Sequence, residues 1–100
     1  MEHLEEALSQ FEGNISKYIS LEGNKVTFEI QDGPIKEVGR NGIQVTDMLA
    51  YCKEVYTSLN HNFPCAENEL TIRNIDCALD AQKIRTTNRE LRGVEGFNKQ

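Results

Sequence analysis

The N-terminal quarter of the chain carries apolar residues at the interval of an amphipathic helix. They are Leu4, Ala7, Leu8, Phe11, Ile15, Tyr18 and Ile19. Gly13-Asn14 interrupts this pattern, and both residue types favour turns over helix interiors. We therefore expect the helix to end there and Tyr18–Leu21 to be extended.

Between Lys25 and Gln31 the period changes, because apolar and polar residues alternate as they do in a half-buried strand. Asp32-Gly33 comes next, a pair that suits the positive φ angles of a tight hairpin turn. The pattern predicts that Pro34–Val38 returns antiparallel to this strand, with Pro34 at an edge position. The region is thus expected to form a small antiparallel sheet.

A helical period returns after a second turn at Arg40–Gly42. Thr46 is a suitable N-cap, and the apolar stripe after it ends near Asn60. Pro64 marks a short connector, after which a second helix without glycine or proline extends to about Leu91. Two long helices joined by a short loop form an antiparallel hairpin.

The chain of 100 residues is near the usual size of one domain, so a single core is expected over 1–100. We divide it into an N-terminal helix and strand region, 1–44, and a helical hairpin with a C-terminal tail, 45–100. The predicted fold class is α+β, with a small N-terminal antiparallel β-sheet followed by a long antiparallel helical hairpin.

The second long helix has two apolar stripes, of which one partner helix can cover only one. Ile72, Ile75 and Leu79 form the first; Leu70, Cys77, Ile84 and Leu91 recur every seven residues on the opposite side, with Ala81 between them. The second stripe is expected to meet another subunit or the sheet, and its heptad spacing favours a homo-oligomer. Arg85, Arg89 and Arg92 lie between the stripes, where their guanidinium groups could converge on an anion.

Charge and composition narrow the class of partner. The net charge of −5 disfavours DNA binding, which needs clustered excess Lys and Arg.

The longest apolar run, Met48–Cys52, is too short to cross a bilayer, and the acidic start is unlike a secretory signal. Three cysteines, an odd number, favour free thiols in a reducing compartment. We expect a cytosolic protein with no membrane or DNA partner.

No residue pattern singles out a catalytic or metal site. The cysteines and histidines are scattered, and only His61 and Cys65 are close in sequence, with no third group to orient them for nucleophilic catalysis. Cys52 and Cys77 are expected to be small buried residues on helices. We expect no catalytic residue, no metal and no cofactor.

Glycines between the two predicted turns offer a different kind of site. Gly33, Gly39 and Gly42 are positions where backbone can approach a ligand closely, and Lys36 and Arg40 flank them. The spacing matches neither a Walker loop nor a dinucleotide fingerprint. A pair of tight turns explains the same residues, so both interpretations stay open.

Four motifs carry a resemblance to one protein family. They are Ile30-Gln-Asp-Gly-Pro-Ile-Lys-Glu-Val-Gly-Arg-Asn-Gly-Ile-Gln44, Phe63-Pro-Cys-Ala-Glu-Asn68, Arg85-Thr-Thr-Asn-Arg89 and Arg92-Gly-Val-Glu-Gly96. Over residues 25 to 97 the chain resembles the phage Thoeris anti-defence family, which shares a helical hairpin with an anti-CBASS sponge family. The resemblance implies a sheet, two long helices and assembly into dimers that can build hexamers.

The resemblance also implies a function that composition and spacing do not reach. Members are phage or prophage sponges that bind a cyclic nucleotide immune signal in the cytoplasm of the bacterial host. The signal is a glycocyclic ADP-ribose, and some members also bind cyclic dinucleotides at a separate site. A non-enzymatic protein that sequesters such a signal, and so blocks the Thoeris effector, is implied for this chain, with CBASS as a second target.

Carried over residue by residue, the motifs place Asn68 and Arg85 on ligand contacts of the family. An amide can bond a base edge or a ribose hydroxyl, and a guanidinium fork fits phosphate oxygens. The further ligand-binding candidates are Arg89, Thr86, Phe63, Lys36, Gly39, Asn41 and Gly42. Without the resemblance, Asn68 would be a helix-start residue and Arg85 part of a surface salt bridge.

The chain departs from the family pattern at several positions. An aromatic often stands where this chain has Ser58, so a ring that stacks on a ligand base would come from Tyr56 or Phe63. Ala66 and Arg73-Asn74 stand where the family often has Arg and Thr-Lys, near the start of the last helix. A cyclic dinucleotide bound at a second site would need hydrogen-bond donors near the start of this helix.

Three other functions stay open. The many carboxylates and His61 suit a hydrolase that degrades the same signal. The heptad helix suits a phage structural or regulatory module that docks a protein partner. A DNA regulator is opposed by the net charge of −5.

Overall fold

The computed structural model describes residues 2–11 and 15–93. In chain order they form helix α1 (Glu2–Ser9), a single 3-10 turn (Ser16–Tyr18), strands β1 (Ile19–Glu22) and β2 (Lys25–Phe28), and helices α2 (Ile35–Val38), α3 (Val45–Asn62) and α4 (Ala66–Leu91). A two-stranded antiparallel sheet followed by long helices confirms the predicted α+β class. The interruption predicted at Gly13-Asn14 and the motif residues after Gly93 lie outside the described residues.

β1 and β2 form a tight hairpin in the N-terminal region. Ile19 lies opposite Phe28 and Glu22 opposite Lys25, while Gly23 supplies the positive φ of +58° that the turn requires. The extended backbone predicted at Tyr18–Leu21 is therefore confirmed from Ile19 onwards. The strand predicted over 25–31 is shorter, since β2 ends at Phe28.

The predicted return strand at Pro34–Val38 is wrong, because this segment forms the short helix α2. Pro34 has a φ of −67°, which suits the start of a helix as well as an edge strand. The backbone beyond β2 is already paired with Ile43. The Ile43 N–H donates to the Glu29 carbonyl at 2.8 Å, and the Ile43 carbonyl accepts from the Gln31 N–H at 2.7 Å. A strand at Pro34–Val38 would have to displace these bonds.

The start of α3 also differs from the prediction. Gln44 is the N-cap, and the Asp47 carboxylate accepts from its backbone N–H at 2.9 Å. The N-cap predicted at Thr46 is therefore wrong, because the acidic side chain at the third helical position reaches back to Gln44. The helix continues to Asn62, slightly beyond the predicted end.

α4 packs along α3 and confirms the predicted helical hairpin. An ion pair between Lys53 and Asp76 joins the two helices, and the first apolar stripe of α4 is half-buried. The second stripe lies in solvent in a single chain. Its exposed fractions are 54% for Leu70, 62% for Ile84 and 82% for Leu91, and Cys77 is also exposed.

The core lies where α1, the sheet and α3 meet. Its buried residues are Ala7, Ile19, Ile43 and Tyr51. Tyr51 is the centre of an aromatic cluster, with ring centroids 6.0 Å from Phe11 and 5.7 Å from Phe28. Its hydroxyl donates to the Leu4 carbonyl at 2.9 Å, so α1 is tied to α3 by a polar bond as well as by packing. Within the described part of the chain, no helix is both long and apolar enough to cross a membrane.

Candidate functional site

The turn between α3 and α4 brings two of the ligand-binding candidates together. Asn68 is half-buried in the first turn of α4, and its Nδ2 donates to the Phe63 carbonyl at 3.4 Å. Its backbone N–H donates to the Cys65 Sγ at 3.4 Å, which caps the helix. The side chain of Phe63 is 69% exposed. The turn therefore presents a free aromatic face and an amide, two groups that suit a nucleobase.

Three further candidates, Arg85, Thr86 and Arg89, lie in the last turns of α4. Arg85 is exposed and Thr86 is half-buried, whereas Arg89 is buried with 8% of its surface exposed. The arginines predicted to share a helix face therefore differ in accessibility. Arg85 and Arg92 are exposed, so of the two arginines among the ligand-binding candidates it is Arg85 whose guanidinium fork is accessible for paired hydrogen bonds to a phosphate.

Asn68 and Arg85 are far apart in a single chain. They stand roughly five turns apart on the continuous helix α4, which corresponds to about 26 Å along its axis. The structure thus separates the two candidates that the family motifs join. One small ligand cannot contact both of them within one subunit.

The loop after α2 is closed by the side chain of Gln31. Its Oε1 accepts from the backbone N–H groups of Asn41 at 2.9 Å and Gly42 at 3.2 Å, and its Nε2 donates to the Gly39 carbonyl at 2.8 Å. The Gly39 N–H donates to the Ile35 carbonyl at 2.8 Å. A phosphate would have to compete with these bonds for the N–H groups of Gly39, Asn41 and Gly42.

Side chains of the same loop hold its shape further. The Asn41 amide bonds the backbone of Asp32 twice, accepting from its N–H at 2.7 Å and donating to its carbonyl at 2.8 Å. A Cβ on Gly42 would come within 2.5 Å of the Ile30 carbonyl carbon, so only glycine fits. Lys36, on α2, is exposed. The bonds within the loop are those of a tight turn.

A polar cluster between α1 and α3 has no signal in the sequence, because its members are distant in the chain. The Ser58 hydroxyl is bonded to the Glu6 carboxylate and lies 2.9 Å from Nδ1 of His3. Ser58 is only 7% exposed, so its side chain faces α1 instead of an open ligand surface. A cleft of about 270 Å³ adjoins the cluster, lined by Glu6, Gln10, Glu54, Thr57, Ser58 and His61.

The cysteines differ from the prediction. Cys52 and Cys77 are exposed, so the expectation that they are buried is wrong. Cys52 follows the buried Tyr51 and is turned away from the core, and Cys77 lies on the uncovered stripe of α4. Over residues 2–11 and 15–93, no group of three or more His, Cys, Asp or Glu side chains is arranged to hold a metal ion.

Two side chains in the helix interfaces have shifted pKa values. Burial raises the pKa of the Tyr51 phenol. The hydrogen bond to Asp76 raises the pKa of the Lys53 ammonium, and the charge of Asp76 adds to the effect. Both groups stabilise the scaffold and are not among the ligand-binding candidates.

Comparison with known proteins gives one informative similarity. No protein-family model matches the chain. The chain is 37% identical over 91 aligned residues to Thoeris anti-defense 1 of Bacillus phage SBSphiJ7. The alignment covers 84% of this chain and 62% of that protein, so the chain spans about three fifths of its relative. The similarity confirms the predicted resemblance of this chain to the Thoeris anti-defence family.

Proposed function

We propose that this protein is a phage anti-defence protein that captures a cyclic nucleotide signal of the glycocyclic ADP-ribose type and withholds it from the Thoeris effector. The observation that carries the proposal is the 37% identity to a protein named Thoeris anti-defense 1. The site of action is the cytoplasm of the infected bacterium, where the signal is made. Capture requires a tight binding site and no turnover, so no catalytic residue is invoked.

The chemistry of the candidates fits a nucleotide with two phosphates. The exposed Arg85 guanidinium suits the phosphates, and the exposed ring of Phe63 with the Asn68 amide suits the base or ribose. Nanomolar affinity corresponds to about −12 kcal/mol. Charge-assisted hydrogen bonds at about 1.5–3 kcal/mol each, together with base stacking, can supply that in an enclosed pocket.

Because Asn68 and Arg85 are far apart in one chain, we propose that the ligand site is shared by two subunits. On the exposed stripe, Leu70 and Ile84 are equally distant from Cys77 in sequence. Two α4 helices that pack antiparallel and cross at Cys77 would therefore pair Leu70 of each with Ile84 of the other. This packing removes the exposed apolar stripe from water, which is the main force for such association.

The same packing would bring the α3–α4 turn of one subunit to the end of α4 of the other. Because Asn68 and Arg85 are also nearly equidistant from Cys77, Arg85 of the partner subunit would lie at the level of Asn68 along the helix pair. Each dimer would carry two such sites. Asn68 itself lies on the face of α4 opposite the stripe, so a nucleotide bound there would contact the exposed Phe63 ring of one subunit and the guanidinium of the other.

Calorimetric titration tests the proposal. The purified protein is titrated with glycocyclic ADP-ribose isomers and a panel of cyclic dinucleotides, and the bound ligand is then released by heat and identified by chromatography. Tight binding of an ADP-ribose signal and its recovery intact support sequestration. Recovery of an altered ligand would assign a hydrolase, and absence of binding to every ligand would refute the proposal.

Cyclic dinucleotides form the second ligand class in that panel. Ala66, Arg73 and Asn74, the positions where the family carries other residues, are all exposed on the first turns of α4. A second site there would have Arg73 as its cationic donor. Binding of a cyclic dinucleotide that persists when the ADP-ribose site is saturated would show that the two sites are separate.

A further inference from the structure

The backbone groups of β2 divide between the two sides of the strand. Glu29, directly after β2, donates its N–H to the Tyr18 carbonyl of the neighbouring strand at 2.9 Å. Hydrogen-bonded and non-hydrogen-bonded pairs alternate along an antiparallel ladder, so Phe28 and Val26 form non-hydrogen-bonded pairs with β1. The N–H and carbonyl groups of Val26 and Phe28 therefore point away from β1.

The outer side of β2 is an open sheet edge in a single chain. Among the described residues the sheet has two strands, and no other segment pairs with the outward groups of Val26 and Phe28. Helix α1 contacts the sheet at β1. A two-stranded sheet is marginally stable by itself, and an open edge is a template for a further strand. β2 can therefore accept another strand on this side.

The side chains along this edge complement those of a second copy of the chain. Lys25 and Glu29 each stand two residues from Thr27, and all three are exposed on the same face of the strand. When two β2 strands run antiparallel with Thr27 opposite Thr27, Lys25 of each copy lies opposite Glu29 of the other. Pairs of opposite charges and pairs of threonines stabilise neighbouring strands in such positions.

We propose that β2 pairs with β2 of a second copy across a two-fold axis at Thr27, which joins the two β1–β2 hairpins into one continuous antiparallel sheet. In this register Val26 of one copy and Phe28 of the other exchange hydrogen bonds through their outward N–H and carbonyl groups. Their side chains, which pack against the core on the other face, become cross-strand neighbours. Both faces of the strand thus favour the same register.

This interface is distinct from the contact between α4 helices proposed above. It lies on the β1–β2 hairpin, whereas the exposed apolar stripe belongs to the helical hairpin. No ligand takes part in the pairing of β2, so this inference does not rest on the proposed function. A chain with two different two-fold interfaces builds an assembly larger than a dimer.

Cross-linking at the two-fold axis tests the pairing. Thr27→Cys is introduced into the full chain with Cys52, Cys65 and Cys77 replaced by serine. The two Thr27 positions would face each other in a non-hydrogen-bonded pair, with Cα atoms about 4.5 Å apart, so mild oxidation should link the subunits.

Ser20→Cys in the same background is the matched control. Ser20 is exposed and pairs with Thr27 inside the hairpin, so it lies one strand further from the axis. The two copies of Ser20 would be about 14 Å apart across three strand spacings. We expect at least about tenfold more linked dimer from Thr27→Cys, because a disulfide needs Cα atoms within about 7 Å. Absence of a Thr27→Cys dimer, or equal linking of the control, would overturn the proposal.

Charge reversal in the Thr27→Cys chain tests the register. Lys25→Glu makes both charged positions of the edge acidic, and Glu29→Lys makes both basic. Each variant alone should therefore cross-link about three- to tenfold less at low salt. Glu37→Lys, which makes the same change of charge at an exposed position of α2, should cross-link like the parent chain.

A mixture of the two charge variants restores both opposite-charge pairs. It should give a disulfide-linked dimer of one variant with the other, identified by mass when one variant carries heavy nitrogen. Recovery in the mixture also shows that both variants fold. A mixture that links no better than either variant alone, or single variants that link as well as the parent, would refute the pairing of Lys25 with Glu29.

Discussion

The Lys53 ammonium lies 2.7 Å from the Asp76 carboxylate and joins the two long helices near the middle of α3. Its hydrogen bond to Asp76 raises the pKa of Lys53 above the ordinary value of 10.5. A raised pKa means that the folded chain holds the proton more tightly than the unfolded chain. The contribution to stability is therefore complete below about pH 10 and is lost as the pH rises through the folded value.

Asp76→Asn should lower the free energy of unfolding at pH 7 by about 0.2–1 kcal/mol, since the pair is partly exposed. It should also make the alkaline decline in stability less steep. The decline should not vanish, because burial raises the pKa of Tyr51 and this phenol adds a loss of its own above pH 10. Urea unfolding at pH 7 and between pH 9 and 11 measures both effects. A Glu90→Gln control on the same helix should leave the alkaline slope unchanged; an equal change in both variants would contradict the prediction.

Gly42→Ala should destabilise the protein through a backbone clash. A Cβ at this position would lie 2.5 Å from the Ile30 carbonyl carbon and 2.6 Å from the Gln31 nitrogen, neither of which can move aside without breaking the loop. We expect a loss of about 1–3 kcal/mol in the free energy of unfolding. Gly23→Ala is the matched control, because a Cβ there meets nothing within 4 Å and only the positive φ opposes it. Thermal or urea unfolding of the two variants should rank Gly42→Ala as the more damaging.

The helical hairpin was predictable because long periodic segments carry many consistent signals. The return strand at Pro34–Val38 was not, since Asp32-Gly33 indicates a turn but does not determine whether a strand or a helix comes after it. The outcome depends on Ile43, which pairs with Glu29 and Gln31 and occupies the backbone that a strand would need. Such pairing between distant segments leaves no local pattern.

The residues of the candidate site also differ in whether the sequence alone could identify them. Arg85 is visible as part of an arginine stripe, and Asn68 was identified by its motif alone. The role of Gln31 in closing the loop and the bonds of Ser58 to His3 and Glu6 join residues that only the folded chain brings together. Side-chain hydrogen bonds of this kind depend on tertiary placement, which residue spacing cannot specify.

Arg85→Glu should abolish binding of the ADP-ribose signal. The change removes charge-assisted hydrogen bonds to phosphate and adds repulsion, so we expect the dissociation constant to rise at least about 100-fold. Lys83→Glu is the matched control, because it makes the same change of charge at another exposed position of α4. Calorimetric titration should show the control within about threefold of the wild type. Binding that survives Arg85→Glu, or that both variants lose equally, would exclude Arg85 as the specific phosphate contact.

Antiparallel packing of two α4 helices predicts which positions can be cross-linked. Leu70→Cys and Ile84→Cys are introduced separately into a background in which Cys52, Cys65 and Cys77 are serine. Because Leu70 of one subunit would meet Ile84 of the other, a mixture of the two variants should form a disulfide-linked heterodimer, and neither variant alone should cross-link efficiently. Mass spectrometry with one variant labelled with heavy nitrogen identifies the product.

The cross-linking pattern separates the possible assemblies, because each places different residues in contact. Parallel packing would cross-link Leu70→Cys to itself, since equal positions then face each other. A chain that stays monomeric would give no specific product, and light scattering of the wild type would confirm the mass. Either result would remove the shared site, because Asn68 and Arg85 are about 26 Å apart on one helix and only an antiparallel partner brings them to the same level. A heterodimer between the two variants would instead support a nucleotide pocket built by two subunits.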